Sequence, residues 1–133
     1  MNWLLDTNTC IYFMKNQFPK LTSRILGYPV SSFSLSSITV FELEYGTEKS
    51  RWSERTRQQL ALFLAPFEIL PFTAEDSLIA GRIRGTLERK GQLLSPYDIL
   101  IAAQALSRGL TVITHNTGEF ERVSGLHVED WIG

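Results

Sequence analysis

The chain has 133 residues, 44% of them hydrophobic, and its 13 basic and 14 acidic side chains give a net charge of −1. We expect one compact domain over residues 1–133, because this length buries a sizeable core and no apolar run approaches the ~20 residues of a membrane span. The near-neutral charge, taken whole, argues against a nucleic-acid-binding protein. The single cysteine, Cys10, excludes an internal disulfide and favours a cytoplasmic, reducing environment.

Apolar runs and capping residues predict strands alternating with helices in the first half of the chain. A short buried strand is predicted from Asn2 to Leu5, and Thr7 or Asn8 is expected to cap a helix that runs to about Lys15. Further along, the pattern predicts a helix over 19–26, a strand over 32–36, and a helix over 38–50 with Ser37 or Thr39 near its start.

The second half continues the alternation. Thr73 and Asp76 form a capping-box pattern at the start of a helix that Gly91 follows. Ser95 precedes a helix that is apolar almost all round and is therefore expected to be among the most buried. The other predicted elements are a helix over 53–67 ended by Pro66 and strands over 67–70, 110–114 and 126–128.

Such alternation predicts a parallel sheet covered by helices on both faces. In sheets of this kind, ligands bind beyond the carboxyl ends of the strands. Asp6 directly follows the first predicted strand, so its carboxylate should lie at that edge. An alternative role for Asp6 is to cap the helix that follows.

Three further acids are predicted to lie near the same edge. Glu42 shares one helical face with Ile38, Phe41 and Tyr45, so its carboxylate needs either a metal ion or a salt bridge to a nearby arginine. Asp98 opens the helix that precedes the strand over 110–114, and capping together with Ser95 would also explain it.

Glu119 is the last of these acids. It lies in a turn or short helix just beyond the strand over 110–114, and its alternative is an ordinary exposed acid. Nearby Asn116 is explained equally by a turn.

Four carboxylates at one edge repel one another, so the arrangement is stable only with a bound cation. Their oxygen atoms suit a hard ion such as Mg²⁺ or Mn²⁺, and one or two ions would activate water for attack on a phosphodiester. His115 and His127 are not spaced like a zinc site.

Four stretches of the sequence carry a resemblance to a known family: LLDTNTCIYFMK, SSITVFELEYG, SPYDILIAAQALSRGLTVITHNTGEF and LHVEDW. Together they resemble the PIN-domain ribonucleases and, among these, the VapC-type toxins of bacterial toxin–antitoxin pairs. The long block from Asp98 to Phe120 is the most specific of the four stretches.

The resemblance implies a three-layer α/β/α PIN-like fold and a metal-dependent endoribonuclease that inhibits translation. The acidic quartet of the family falls on Asp6, Glu42, Asp98 and Glu119, of which the last is often Asp in relatives. Supporting polar positions fall on Asn8, Thr114 and Asn116. Gly118 stands where relatives often carry a basic residue. The implied partners are a second copy of the chain and a VapB-like antitoxin that blocks the cleft and, in complex, binds operator DNA.

Other classes of protein fit the sequence less well. A receiver-type phosphoacceptor would need a lysine after a late strand, and a haloacid-type phosphatase would need an acid where Asn8 stands. A non-catalytic module that keeps the PIN-like fold is the remaining alternative. If a metal ion neutralises the quartet, the charge balance becomes 13 − (14 − 4) = +3, which makes phosphate binding credible. The basic residues along the helix over 73–91 include Arg82, Arg84, Arg89 and Lys90.

Overall fold

The computed structural model describes residues 3–133, so the predicted start of the first strand at Asn2 lies outside the described residues. The strands are β1 (Trp3–Leu5), β2 (Phe33–Ser36), β3 (Glu68–Leu70), β4 (Thr111–Ile113) and β5 (His127–Glu129). The helices are α1 (Thr7–Met14), α2 (Pro19–Leu26), α3 (Ser37–Lys49), α4 (Ser53–Leu64), α5 (Ala74–Arg89), α6 (Pro96–Arg108) and α7 (Thr117–Phe120), with one 3₁₀ turn at Val30–Ser32.

The five strands form one parallel sheet in the order β3-β2-β1-β4-β5. Leu5 at the end of β1 pairs with Leu35 on one side and with Ile113 on the other, so the three central strands finish at the same edge. This arrangement confirms the predicted three-layer α/β/α fold with a central, mostly parallel sheet. It also brings together the segments that follow β1, β2 and β4.

Two apolar clusters cover the two faces of the sheet. Leu4 of β1 points into a cluster with α5 and α6, whereas Trp3 and Leu5 point into a cluster with α1, α2 and α4, as the two-residue period of a strand requires. Helix α6 contributes six buried residues, which confirms the prediction that it is among the most buried. Cys10 is fully buried in the second cluster. Within residues 3–133, no helix combines the length and apolar character needed to cross a membrane.

The predicted helix starts lie close to the observed ones, but several capping contacts differ. Helix α1 is capped by Asp6 rather than by Thr7 or Asn8, and α3 is capped by Ser36, whose hydroxyl accepts the N–H of Ile38. The side chain of Ser95 makes no capping hydrogen bond to α6. Neighbouring Ser, Thr, Asn and Asp residues all have capping chemistry, so their order alone does not identify the one that ends the strand.

The predicted buried face of α3 was also wrong. Phe41 and Tyr45 are 52% and 57% exposed, and the interior side of the helix carries Thr39, Leu43 and Thr47 instead. The interior stripe is therefore more polar than the apolar pattern predicted. Both buried threonines have hydrogen-bond partners, because Thr39 accepts from the Thr7 hydroxyl near the end of β2 and Thr47 donates to the Leu43 carbonyl of its own helix.

The acid Asp76 in α5 belongs to the scaffold. Its side chain completes the predicted capping box with Thr73 and also accepts hydrogen bonds from Ser107 at 2.7 Å and Arg108 at 2.9 Å. Burial alone would raise the pKa of Asp76, but the hydrogen bonds from Arg108, Thr73 and Ser107 outweigh it and lower the pKa to about 2. This network fastens α5 to the end of α6.

Replacing Asp76 with alanine is expected to destabilise the chain by about 3 kcal/mol, because it leaves a partly buried Arg108 without its partner. In the parent, the depressed pKa gives stability that is present above pH 4 and is lost as the pH falls toward 2. Urea unfolding of parent and variant from pH 7 down to pH 2 measures both effects. A variant as stable as the parent at pH 7, or one with the same acid sensitivity, would contradict the assignment.

Candidate active site

The candidate site lies at the carboxyl edge of the sheet, between β1 and β4. From β1 the chain continues to β2 on one side of β1, whereas β4, which comes later in the sequence, pairs with β1 on its other side. The gap between β1 and β4 is therefore the topological switch point of the sheet. Asp6 follows β1 and Thr114 follows β4, and the Thr114 hydroxyl donates to Asp6 Oδ2 at 2.5 Å across the gap. Both side chains are buried.

The Asp6 carboxylate is held by a second contact as well. Its Oδ1 accepts the N–H of Thr9 at 2.8 Å, and the Thr9 hydroxyl donates to the carbonyl of Ile113 at 3.1 Å. Burial raises the pKa of Asp6, although the hydrogen bonds from Thr114 and Thr9 oppose the rise. Asp6 therefore caps α1 and also presents a fixed carboxylate at the switch point, so its role as a cap does not exclude a role in the site.

Glu42 projects from the second turn of α3 and is half-buried. Its Oε1 accepts the hydroxyl of Thr7 at 2.6 Å, and that hydroxyl also lies 3.1 Å from Thr39 Oγ1. Among the salt bridges of residues 3–133 none involves Glu42, so the alternative of an arginine partner is wrong for this part of the chain.

Asp98 lies in the first turn of α6, the end that faces the carboxyl edge of the sheet. Within the described chain its carboxylate accepts no hydrogen bond, and Ser95, although it is the N-cap residue, makes no side-chain capping bond, so the predicted capping pair is not observed. Burial raises the pKa of Asp98 to about 6, with further contributions from the negative charges of Asp6, Glu42 and Glu119. Three acids from three other elements thus act on Asp98 at this edge.

Glu119 is half-buried in α7 rather than fully exposed. Its Oε2 accepts the side-chain amide of Asn116 at 2.8 Å, and the backbone N–H of Asn116 donates to Thr114 Oγ1 at 2.9 Å. A continuous chain of hydrogen bonds therefore runs from Asp6 through Thr114 and Asn116 to Glu119. Asn8, in contrast, is exposed on α1, and its side chain makes no hydrogen bond to this series of residues.

In residues 3–133, no group of three or more His, Cys, Asp or Glu side chains is close enough to form a ready-made metal site. The donors nevertheless fit a hard divalent cation, because they are carboxylate oxygens and their charges repel one another at Asp98. Closure around an ion requires some movement, and Asp98, whose carboxylate accepts no hydrogen bond in the described chain, is the least constrained of the four acids. His115, which is exposed and contacts Asp130 at 3.0 Å, is engaged elsewhere.

Comparison with known proteins identifies the family. The PIN domain model matches residues 3–126. The chain is a PIN domain protein of the VapC type. The tRNA(fMet)-specific endonuclease VapC of Salmonella typhimurium is 42% identical over 131 residues, which cover 98% of each chain.

Solved structures give the same result for this PIN domain. The DNA-bound VapBC of Salmonella typhimurium superposes with a TM-score of 0.92 at 42% identity, covering 98% of both chains. VapBC2 of Rickettsia felis bound to a promoter DNA fragment superposes with a TM-score of 0.90 at 33% identity, covering 98% of this chain and 99% of that one.

Sequence reasoning missed three threonines that position the acids of this PIN domain. Thr7 and Thr9 flank Asn8 in the run D-T-N-T and contact Glu42 and Asp6, and Thr39 contacts Thr7. The available signal was the density of hydroxyl residues directly after β1 and β2. That signal was interpreted only as helix capping.

Proposed function

We propose that this PIN domain is a toxin that hydrolyses RNA phosphodiester bonds, inhibits translation and is neutralised by a cognate antitoxin. The observation that carries the proposal is the convergence of Asp6, Glu42, Asp98 and Glu119 on one sheet edge, expressed in the raised pKa of Asp98. The name of the Salmonella relative adds the substrate class, RNA.

Mg²⁺, or alternatively Mn²⁺, is the proposed cofactor, with those four acids as its ligands. When bound, the ion supplies Lewis-acid activation of water and neutralises charge on the phosphodiester. The chain itself fixes the ligands: Thr114 and Thr9 hold Asp6, Thr7 holds Glu42, and Asn116 holds Glu119. Asp98 is the one ligand without such a hydrogen bond in the described chain, so it is free to adjust to the ion.

The direct test is incubation of the purified chain with RNA in the presence of Mg²⁺. Because the Salmonella relative is named as specific for tRNA(fMet), initiator tRNA is the first RNA to test, followed by total RNA with mapping of the cut sites. Specific cleavage supports the proposal. Binding of RNA or antitoxin without any cleavage would favour the alternative, a non-catalytic PIN-like module, although four intact acids argue against it.

A VapB-like antitoxin is the proposed protein partner, and operator DNA is expected to bind only through the toxin–antitoxin complex. A cavity of about 770 Å³ between α1, α3 and α4 offers a place for it, because Glu42 lies on its wall. An occupant of this groove would therefore reach the acids. Its apolar lining includes Ile11, Phe13, Leu43, Leu60 and Phe63.

Gly46 permits a test of this groove. It lines the cavity, and a Cβ built on it meets nothing within 4 Å, so a side chain at this position would start without a clash and extend from the cavity wall. We expect Gly46→Trp to weaken antitoxin binding by at least about tenfold, because the indole occupies apolar space that the antitoxin needs. Gly46→Ala is the control: it should bind normally and be about 1 kcal/mol more stable. Calorimetric titration with the antitoxin measures the affinities, and parental binding by Gly46→Trp would contradict the assignment.

A homodimer is also proposed. Aromatic residues in and near α1 could form an interface, but Tyr12, Phe13 and Phe18 are half-buried against the apolar cluster of their own chain, so the proposal rests on the family. Sedimentation equilibrium of the chain without antitoxin should give twice the monomer mass of 15.1 kDa. A purely monomeric chain at micromolar concentration would count against it.

A further inference from the structure

A second cavity opens beside the candidate active site, at the end of α5 and the start of α6. Its volume is about 470 Å³, and Glu119 forms part of its wall. We call it the α5–α6 groove, and it is lined also by Arg84, Glu88, Gln92, Ser95 and Arg122. Because it shares Glu119 with the acid site, a polymer bound at the acids can extend into it.

Two arginines give the groove its chemistry. Arg84 contacts Glu88 at 3.2 Å, but both side chains are about 60% exposed (62% and 61%), and exposed pairs of this kind contribute little. An anionic ligand can therefore replace Glu88 at low cost. If Glu119 serves the metal ion, Glu88 is the only acid left in the lining against the two arginines.

Arg122 is oriented by the chain itself. Its guanidinium donates to the carbonyl of Leu93, which fixes one end of the group and leaves further N–H donors available. The Ser95 hydroxyl, which does not cap α6, and the Gln92 side chain add neutral donors to the same lining. Planar arginine forks next to neutral donors match phosphate oxygens.

The rest of the lining is apolar and comes from the flanks of α5 and α6. Leu87, Leu94 and Ile99 lie there, and Leu93 is 77% exposed at the rim. A mixed apolar and cationic groove suits a chain in which phosphates alternate with sugars and bases. It suits a free metal ion or an acidic small molecule less well.

We propose that the α5–α6 groove binds the RNA backbone on one side of the phosphodiester that is cut, with Arg84 and Arg122 contacting phosphates. The proposal deepens the function proposed above and rests on it for the identity of the polymer. It makes these arginines binding residues that position the RNA against the acids, with no part in the chemical step.

The test compares Arg84→Gln with Arg89→Gln. Arg89 lies on the same helix and carries the same charge, but it donates to Thr86 and lies outside the groove. Binding of a fluorescently labelled single-stranded oligoribonucleotide is measured by anisotropy in EDTA over a range of salt concentrations. We expect Arg84→Gln to weaken binding roughly five- to tenfold and to reduce the slope of log K against log salt by about 0.7, the value for one phosphate contact on a single strand. Arg89→Gln should stay within about twofold of the parent.

Cleavage kinetics and antitoxin binding separate the possible failures. With Mg²⁺, Arg84→Gln should raise KM by a similar factor and leave kcat nearly unchanged, because the contact is made equally in the ground and transition states. Parental affinity and salt slope in Arg84→Gln would overturn the groove assignment while leaving the ribonuclease proposal intact. Loss of antitoxin binding with normal RNA binding would also overturn it and assign the groove to protein. Arg84-dependent RNA binding without cleavage by the parent would support the groove and contradict the catalytic proposal.

Discussion

Replacing Asp98 with asparagine is expected to lower RNA cleavage roughly a thousandfold, because it removes one of the four proposed metal ligands. The same change should leave the metal-free protein at least as stable as the parent. Within the described chain the Asp98 carboxylate accepts no hydrogen bond, and its charge is opposed by burial and by three neighbouring acids. Asparagine keeps the shape of the side chain and removes the charge.

The stability effect has a defined pH dependence. The pKa of Asp98 is raised from 3.8 to about 6 in the folded chain, so folding favours the protonated form. Its contribution is fully present below pH 4 and is lost as the pH rises through 6. Asp98→Asn should therefore match the parent at pH 4 and exceed it at pH 7, by about 1 kcal/mol once solvent screening is allowed for.

The measurements are RNA cleavage with Mg²⁺ and urea unfolding in EDTA at the two pH values. Glu121→Gln is the matched control, because Glu121 is an exposed acid two residues beyond Glu119. It should cleave RNA at the parental rate. Near-parental cleavage by Asp98→Asn would show that Asp98 is not a metal ligand. A variant less stable than the parent at pH 7 would contradict the electrostatic argument.

Removal of divalent metal ions is expected to abolish cleavage, by at least about a thousandfold, and Mg²⁺ or Mn²⁺ should restore it. Excess EDTA supplies the test on a defined RNA. Because water is the proposed nucleophile, the products should carry 5′-phosphate and 3′-hydroxyl ends. Cleavage that persists in EDTA, or cyclic 2′,3′-phosphate ends, would contradict the mechanism.

Metal binding should also be visible without RNA. An ion that binds only the folded chain stabilises it by about 2.7 kcal/mol at a hundred times its dissociation constant. We expect Mg²⁺ to raise the unfolding temperature of the parent and to raise that of Asp98→Asn much less. Equal shifts in both proteins would place the ion elsewhere.

Much of the fold follows from local patterns in the sequence. The capping box of α5 requires only Thr73 and Asp76 at the right spacing, and α2 begins at Pro19 because proline suits the first turn of a helix. The orientation of α3 could not be predicted from such local patterns. The ring of its exposed Phe41 packs against that of Tyr97 in α6, with 5.6 Å between the ring centroids. The position of this apolar residue therefore reflects a contact between two helices that are distant in sequence.

The candidate site, like the fold, could be predicted only in part from the sequence. The rule that parallel strands end at one edge predicts that Asp6 and Glu119 come together, because it depends only on the order of elements. The role of Thr114 as the direct partner of Asp6 needs the register that pairs Leu5 with Ile113. Sequence reasoning placed Thr114 only as a supporting position, and the α5–α6 groove was beyond it, because a cavity depends on side-chain volumes from several elements at once.

The pairing of β1 with β4 joins residues that are 108 positions apart, Asp6 and Thr114. During synthesis β1 leaves the ribosome long before β4, its neighbour in the sheet, has been synthesised. Contacts of such long sequence separation form late. Until β4 has emerged, the Asp6 carboxylate lacks the hydroxyl that fixes it, and Glu119 has not yet been synthesised. With the proposed site, a growing chain is therefore expected to be unable to cleave RNA until nearly all of it has been translated.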